Sequence, residues 1–230
     1  MALNAAQVKP AAEVPSLRFY STGGDIGKQL QIIAAEIERG TRTAAVQAEA
    51  ARALGRKRNG KAAVPEHDGR HEAAAIRRHV AGNVRYKRDP VGLDVFESAE
   101  RTLDLGNADC DGQTILTAAM AQAAGYPVAI RVISTRDDRQ FNHVYPLIEA
   151  EPGVWLAADT TVDYPLGWEP ADERITASTT VAVTDGQAAN FQGDTSGSGS
   201  AAVGDERGGG WVTLLLPVAA ALIFMVRRAG

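Results

Sequence analysis

The sequence contains a single cysteine, Cys110, and only 6% aromatic residues. One cysteine excludes an internal disulfide framework, so the fold does not depend on an oxidising compartment. An excess of basic charge is also missing, because 24 Lys and Arg stand against 28 Asp and Glu, for a net charge of −4. That balance predicts no strong nucleic-acid affinity and no nucleic-acid partner. The N-terminus lacks a charged start followed by an apolar run, so we expect no secretory signal peptide.

The long apolar run of this chain lies at its C-terminal end. Residues 211–226 carry no charge, and Arg227 and Arg228 follow them. A helix of this length would reach about 24 Å, short of a hydrocarbon core of ~30 Å, although bilayer thinning can close such a gap. We expect a hydrophobic helix over 211–228 that either spans a membrane or packs on a partner protein.

Composition and periodicity divide the chain into five segments. We expect an N-terminal arm over 1–24, a helical N-terminal extension over 25–65, a domain of helices and strands over 66–183, a Gly/Ser-rich flexible linker over 184–210, and the hydrophobic helix. Apolar spacing predicts helices over 25–38, 41–58, 70–84 and 110–124 and strands over 127–134, 142–150, 153–161 and 181–183. Residues 91–108 are predicted to form a long irregular loop. The fold class predicted is α+β.

The thiol of Cys110 lies where a polar turn meets an apolar helical pattern, in the run Gly-Asn-Ala-Asp-Cys-Asp-Gly-Gln at 106–113. Unpaired N–H groups and the dipole at a helix N-terminus stabilise a thiolate. Asp109 and Asp111 act in the opposite direction, because neighbouring negative charge disfavours the thiolate, and they are also candidate helix caps. The alternative is that Cys110 is a small buried residue with no chemical role.

A predicted hairpin brings two further candidates together. The turn at Glu151-Pro152-Gly153 would place His143 opposite Thr160 or Asp159, and opposed residues of an antiparallel pair have Cβ atoms about 4.5–5.5 Å apart. A carboxylate beside the imidazole can hold its tautomer, as in any set of nucleophile, base and orienting residue. Cys110, His143 and Asp159 are therefore the predicted catalytic residues, whereas each alone would be read as an ordinary structural residue.

These residues resemble the transglutaminase-like superfamily, a papain-like group of thiol enzymes. The resemblance covers about residues 70–162 and rests on the following segments: NVRY at 83–86, GNADCDGQ at 106–113, AAMAQAAGYPVAIRVI at 118–133, NHVYPLI at 142–148 and GVWLAADTT at 153–161. It implies a domain whose N-terminal helices pack on a small antiparallel sheet. Its short cysteine motif is also similar to that of phage and prophage members, which implies a virion or virion-assembly setting. One departure is Val144-Tyr145, where members often have an aromatic residue shortly after the histidine.

The resemblance implies Cys110 as nucleophile, His143 as general base and acid, and Asp159 as orienting residue, acting on a protein or peptide without a cofactor or metal. The predicted enzyme is a cysteine hydrolase or acyltransferase, a peptidase or amidase, tethered to a membrane or virion partner through 211–226. The alternative is a non-catalytic structural protein of a phage virion that uses the same fold as a scaffold. The backbone N–H of Cys110 is the expected oxyanion donor, with Asn107 and Gln113 as other candidates.

Two pairs of residues have side chains of the kind that bind metal ions. His67 and His71 are four residues apart, but Asp68-Gly69 between them indicates a helix start, so a solvated charged face is favoured over zinc. Asp109 and Asp111 flank the thiol, yet two carboxylates without further oxygen ligands make a weak cation site. No metal site is therefore predicted.

Overall fold

The computed structural model describes residues 18–19, 24–55, 68–89 and 95–193. The helices in these ranges are α1 (Ile26–Thr41), α2 (Ala44–Ala53), α3 (Gly69–Asn83), α4 (Ala99–Leu105) and α5 (Cys110–Ala123), with a 3₁₀ turn at Asp172–Arg174. The strands are β1 (Arg18–Phe19), β2 (Arg85–Tyr86), β3 (Val95–Phe96), β4 (Asn107–Ala108), β5 (Val128–Ser134), β6 (His143–Glu151), β7 (Val154–Ala157), β8 (Ala177–Thr184) and β9 (Gln187–Asn190).

Five of the strands form one antiparallel sheet in the order β7-β6-β5-β8-β9. Two small pairs lie outside it: β1 is antiparallel to β3, and β2 is parallel to β4. The helices pack against one face of the large sheet, and the buried residues of α1, α3 and α5 join those of β5 and β6 in one apolar cluster. The predicted α+β class, with N-terminal helices on an antiparallel sheet, is confirmed.

Helix α5 lies at the centre of this core, with every residue from Gly112 to Ala121 buried. A helix that is buried on all sides requires neighbours on all sides, and small residues let those neighbours come close. A Cβ on Gly40 of α1 would lie 2.7 Å from the Cβ of Ala99 and 3.1 Å from that of Ala119. The helix predicted to stop at 38 continues to Thr41. Gly40 lies inside it and lets α1 approach α4 and α5 closely.

The other face of the sheet carries a second, smaller apolar cluster. Its buried members are Ala129, Ile133, Tyr145, Leu147, Trp155 and Ala157. The segment that follows β7 covers it, and Arg131 of β5 forms a buried ion pair there, with its Nε 2.8 Å from Oε1 of Glu169. Since both faces are covered, all seven residues of β5 are buried.

Three sequence predictions require correction. Residues 91–108 do not form one irregular loop, because α4 runs from Ala99 to Leu105, capped by the Ser98 side chain at its start and ended by Gly106 at φ 60°. Helix α2 covers only 44–53 of the predicted 41–58, since Thr43 caps a new helix there. Strand β8 begins at Ala177 rather than at 181.

The predicted linker also starts too early, because β9 occupies Gln187–Asn190 and pairs with β8. Asp185 and Gly186 connect the two strands with φ values of 50° and 71°, which is the turn that favours Asp-Gly in a two-residue hairpin. The linker from residue 194 onward and the expected hydrophobic helix at 211–228 lie outside the described residues. Within the ranges that the structure describes, none of the helices has the length and hydropathy that crossing a bilayer requires.

Two glycines of α3 provide a matched test of the packing. A Cβ on Gly69 would lie 1.7 Å from the carbonyl oxygen of Ala150, whereas one on Gly82 would meet nothing within 4 Å. We expect Gly69→Ala to lower the free energy of unfolding by about 1–3 kcal/mol, because α3 must move away from β6. Gly82→Ala should raise it by up to about 1 kcal/mol through helix propensity. Urea titration of both variants measures this, and equal effects would contradict the close approach of α3 and β6.

Candidate active site

The thiol of Cys110 is held at the first position of α5 by a tight cap. Asp109 precedes it in extended geometry, and its Oδ1 accepts from the backbone N–H groups of Asp111, at 3.0 Å, and Gly112, at 3.1 Å. A Cβ on Gly112 would come within 2.7 Å of the Cβ of Ala108 and 3.2 Å of Oγ1 of Thr102. The glycine therefore lets β4, α4 and the start of α5 meet at the cysteine.

The half-buried thiol of Cys110 points toward a carboxylate in this arrangement. Its Sγ donates to Oδ1 of Asp111 at 3.7 Å. Burial raises the pKa of the thiol strongly, and the negative charges of Asp111 and Asp109 raise it further; the backbone N–H of Val144 opposes them without cancelling them. The resting thiol is therefore neutral, and a thiolate requires a cationic partner.

His143 and Asp159 form the second part of the site. Nε2 of His143 lies 2.6 Å from Oδ2 of Asp159, and the two side chains are 20% and 5% exposed. The other carboxylate oxygen, Oδ1, accepts from the backbone N–H of Thr161 at 2.9 Å and from its hydroxyl at 2.7 Å. Burial alone would raise the pKa of Asp159, but the bonds from His143 and Thr161 outweigh it and lower that pKa. Asp159 is therefore an ionised acceptor for the imidazole.

The predicted pairing of His143 with Asp159 is present, but the predicted register is wrong. Leu147 pairs with Ala157 and Ile148 with Leu156, with an irregularity between Glu149 and Glu151. Continued at this register, Asp159 would lie opposite Tyr145 rather than His143. Strand β7 ends at Ala157, so Asp159 reaches the imidazole from the segment beyond the strand, as a diagonal neighbour can.

Cys110 and His143 line one cavity of about 190 Å³. Residues of α1 form part of its wall, together with Val132 and Phe141. Because Nε2 of His143 is bonded to Asp159, Nδ1 is the ring nitrogen left to exchange a proton with the thiol. Among the described residues, no hydrogen bond joins Sγ to the ring, since the thiol donates to Asp111. Rotation about the Cα–Cβ bond of Cys110 is the movement that changes its partner.

Sequence reasoning missed the residues that position Asp159. Arg77, only 6% exposed, donates from Nε to the backbone oxygen of Asp159 at 2.8 Å and from Nη2 to that of Val162. The signal was an arginine on the same face of α3 as Ala73, Ile76 and Val80, where an apolar residue was expected.

A second link ties the aspartate segment to α5 itself. The hydroxyl of Thr160 donates to Oε1 of Gln113 at 2.8 Å, and Nε2 of Gln113 donates to the backbone oxygen of Ala108 at 3.3 Å. Both the oxygen and the nitrogen of the Gln113 amide are therefore hydrogen-bonded, and Gln113 links Thr160 to Ala108. Asn107 bonds to the oxygen of Leu105 at 2.9 Å. Of the three expected oxyanion donors, the backbone N–H of Cys110 remains the candidate.

A buried tyrosine lies beside the imidazole. The ring centroids of His143 and Tyr145 are 5.5 Å apart and the rings are tilted by 39°. The hydroxyl of Tyr145 donates to Oε1 of Glu169 at 2.5 Å, while Nε of Arg131 donates to the same hydroxyl at 3.2 Å. This network fixes the tyrosine and with it one side of the imidazole.

The ligand atoms at the two candidate metal positions, Asp109 with Asp111 and His67 with His71, are partly engaged in other hydrogen bonds. Ligand atoms of Asp109, Cys110 and Asp111 lie within 4.8 Å of one another, but Asp109 is engaged as a helix cap. His71 bonds through Nδ1 to Asp68 at 2.7 Å at the start of α3, and His67 lies outside the described residues.

The cap of α5 predicts a pH dependence of stability. Burial, with the charges of Asp89 and Glu97, raises the pKa of Asp109 to about 6, although two backbone N–H groups oppose the rise. The folded state therefore binds a proton that the unfolded state releases near pH 4, and stability falls as pH rises from about 4 to 6. Asp109→Asn keeps a capping side chain and removes this titration. We expect the variant to gain on the order of 1–3 kcal/mol over wild type at pH 8 but not at pH 4, in urea titrations. An equal difference at both pH values would contradict the cause assigned.

Comparison with known protein families gives a match over part of the chain. Residues 56–160 match the family model of the transglutaminase-like superfamily, a range that includes all three candidate residues. A search of the curated proteins finds no match. A solved structure of a candidate protease from Parabacteroides distasonis aligns at 13% identity and a TM-score of 0.43. That alignment covers 72% of this chain and 31% of the other, so this chain spans about a third of that protein's length. The similarity to the transglutaminase-like superfamily therefore extends over residues 56–160 and includes the candidate site.

Proposed function

We propose that the protein is a cysteine hydrolase or acyltransferase that acts on the amide bonds of a protein or peptide. The observation that carries the proposal is the hydrogen bond of 2.6 Å between His143 and the ionised Asp159, at the edge of a cavity that also contains the thiol of Cys110. A buried carboxylate that orients an imidazole next to a thiol is the arrangement that nucleophilic acyl transfer requires.

The proposed reaction has two steps, formation of a thioester at Cys110 and its cleavage. Nδ1 of His143 takes the proton of the Cys110 thiol, and Sγ attacks the carbonyl carbon of the amide. As the tetrahedral intermediate collapses, the C–N bond breaks, His143 gives its proton to the leaving amine, and a thioester remains. Water or a second amine then attacks the thioester and releases the thiol. These steps use side chains alone and need no cofactor.

Two backbone features support this chemistry. The N–H of Cys110 lies at the first position of a helix of 14 residues, where the amide dipoles favour a developing oxyanion. The imidazolium formed in the first step lies against Asp159, which stabilises its positive charge. The pKa of the thiol is raised while it is bonded to Asp111. The reaction therefore requires the thiol to turn from Asp111 toward His143 before it loses its proton.

Alkylation of Cys110 tests the proposal without knowledge of the substrate. We expect iodoacetamide to modify Cys110 in the folded protein at about pH 6–7, well below the range of an isolated thiol. His143→Ala should slow this reaction at least about tenfold, because the imidazolium no longer stabilises the thiolate. Asp111→Asn should accelerate it by about three- to tenfold, since a negative charge that raises the thiol pKa is removed.

Mass spectrometry of the folded protein measures these rates, and circular dichroism checks the fold of each variant. His71→Ala is the matched control, because the side chain of His71 is 66% exposed and is bonded to Asp68 rather than to the site. A thiol that reacts only after denaturation in all four proteins would contradict the proposed enzyme and favour a non-catalytic scaffold, such as a component of a phage virion. The raised pKa of the resting Cys110 thiol is the observation that favours the scaffold.

We further propose that the hydrophobic residues 211–226 tether the domain to a membrane or to a virion partner. The support is the sequence alone: an uncharged segment followed by Arg227 and Arg228. We expect the full chain to enter the detergent phase in Triton X-114 partitioning and a chain ending at residue 210 to stay in the aqueous phase, because the apolar segment has been removed. Partitioning that persists without residues 211–230 would contradict the tether.

A further inference from the structure

The cavity beside the thiol has apolar side chains from two parts of the fold in its lining. Ile26 and Ile33 of α1 form one wall, and Val132 of β5 and Phe141 form the other. Ile33 and Val132 are buried, at 2% and 4% exposure, so they form the floor. Ile26 and Phe141 are half-buried and form the rim.

Gln29, Asp111, Asn142 and His143 also line the cavity, and Asp111 accepts there from the thiol of Cys110. Asn142 accepts from the backbone N–H of Thr135 at 2.8 Å and donates to its hydroxyl at 3.2 Å. His143 is bonded to Asp159. An occupant therefore meets apolar side chains of α1 and β5 on one part of its surface and polar groups, among them Asp111, beside Cys110.

The α1 wall is fixed in place and lies outside residues 56–160, the range matched by the superfamily. Leu30, Ala34 and Ile37 of the same helix are buried in the main core. Gln31 accepts from the backbone N–H of Ala188 at 3.1 Å and donates to its oxygen at 3.0 Å. One wall of the cavity is thus formed by a helix that lies outside the matched range.

We propose that this cavity binds one aliphatic side chain of the substrate, of valine or leucine size, next to the carbonyl that Sγ attacks. This inference rests on the proposed function and names its substrate class. A volume of about 190 Å³ is below the range of about 300–1,000 Å³ that pockets for drug-sized ligands occupy, and it suits a single side chain. A negatively charged side chain would lose its hydration between these walls and would also meet the carboxylate of Asp111, which lines the cavity.

Peptidyl chloromethyl ketones that differ only in the side chain next to the ketone test the inference. Thiolate attack on the methylene carbon forms the C–S bond and releases chloride, so the side chain must lie beside Cys110. Rates are measured by mass spectrometry of Cys110 and divided by the iodoacetamide rate of the same protein. We expect leucine to exceed alanine by about tenfold or more, because each added methylene is worth about tenfold or more in an apolar pocket. Glutamate should be slower than its neutral isostere glutamine.

Two variants should shift this preference in opposite directions. Ile26→Trp narrows the rim and should reduce the leucine-to-alanine ratio at least about fivefold, whereas Phe141→Ala widens it and should raise the rate of a phenylalanine probe relative to leucine. Lys28→Trp is the control, because Lys28 is exposed on α1 and does not line the cavity. It should leave every ratio unchanged.

The outcomes separate the two proposals. Reaction of Cys110 with iodoacetamide that depends on His143, together with equal rates for all side chains or ratios that neither variant moves, overturns the aliphatic pocket and leaves the enzyme intact. A thiol that reacts with no probe in the folded protein overturns both. A leucine preference that narrows in Ile26→Trp and broadens in Phe141→Ala supports the pocket.

Discussion

A carboxylate buried as deeply as that of Asp159 is stable only if its charge is hydrogen-bonded on every side, and this requirement organises the site. One oxygen is taken by His143 and the other by Thr161. The backbone oxygen of the same residue is taken by Arg77 of α3, whose charge is thereby buried with it. The aspartate therefore joins a helix, a strand and a connecting segment in one network. The imidazole of His143 is oriented because it is one of the groups that hydrogen-bond the buried carboxylate.

The parts of the fold that follow from local chemistry could be predicted. Cys110 at a helix start follows from Asp109 as cap and Gly125 as terminator, and both are short-range signals. The association of His143 with Asp159 follows from a hairpin turn. The exact register could not, because the irregularity near Glu149 and Glu151 depends on how β6 bends over the core.

Long-range partners account for what sequence reasoning missed. Strand β9 consists of Gln-Ala-Ala-Asn, which has little strand propensity, and it is stabilised by β8 and by Gln31 of a helix far away in sequence. Helix α4 spans only seven residues, too few for periodicity to reveal. Arg77 was visible as a charge on an apolar face, but its acceptors lie more than eighty residues away. No local rule connects such positions.

The two hydrogen bonds between Gln31 and Ala188 have a mechanical consequence. They fasten the last strand of the described sheet to the helix that walls the cavity, across 157 positions of sequence. An edge strand of four residues can open locally at little cost to the rest of a domain. Here a fluctuation that detaches β9 also removes support from α1 close to the thiol. The opening of this edge strand and the shape of the cavity beside Cys110 are therefore coupled.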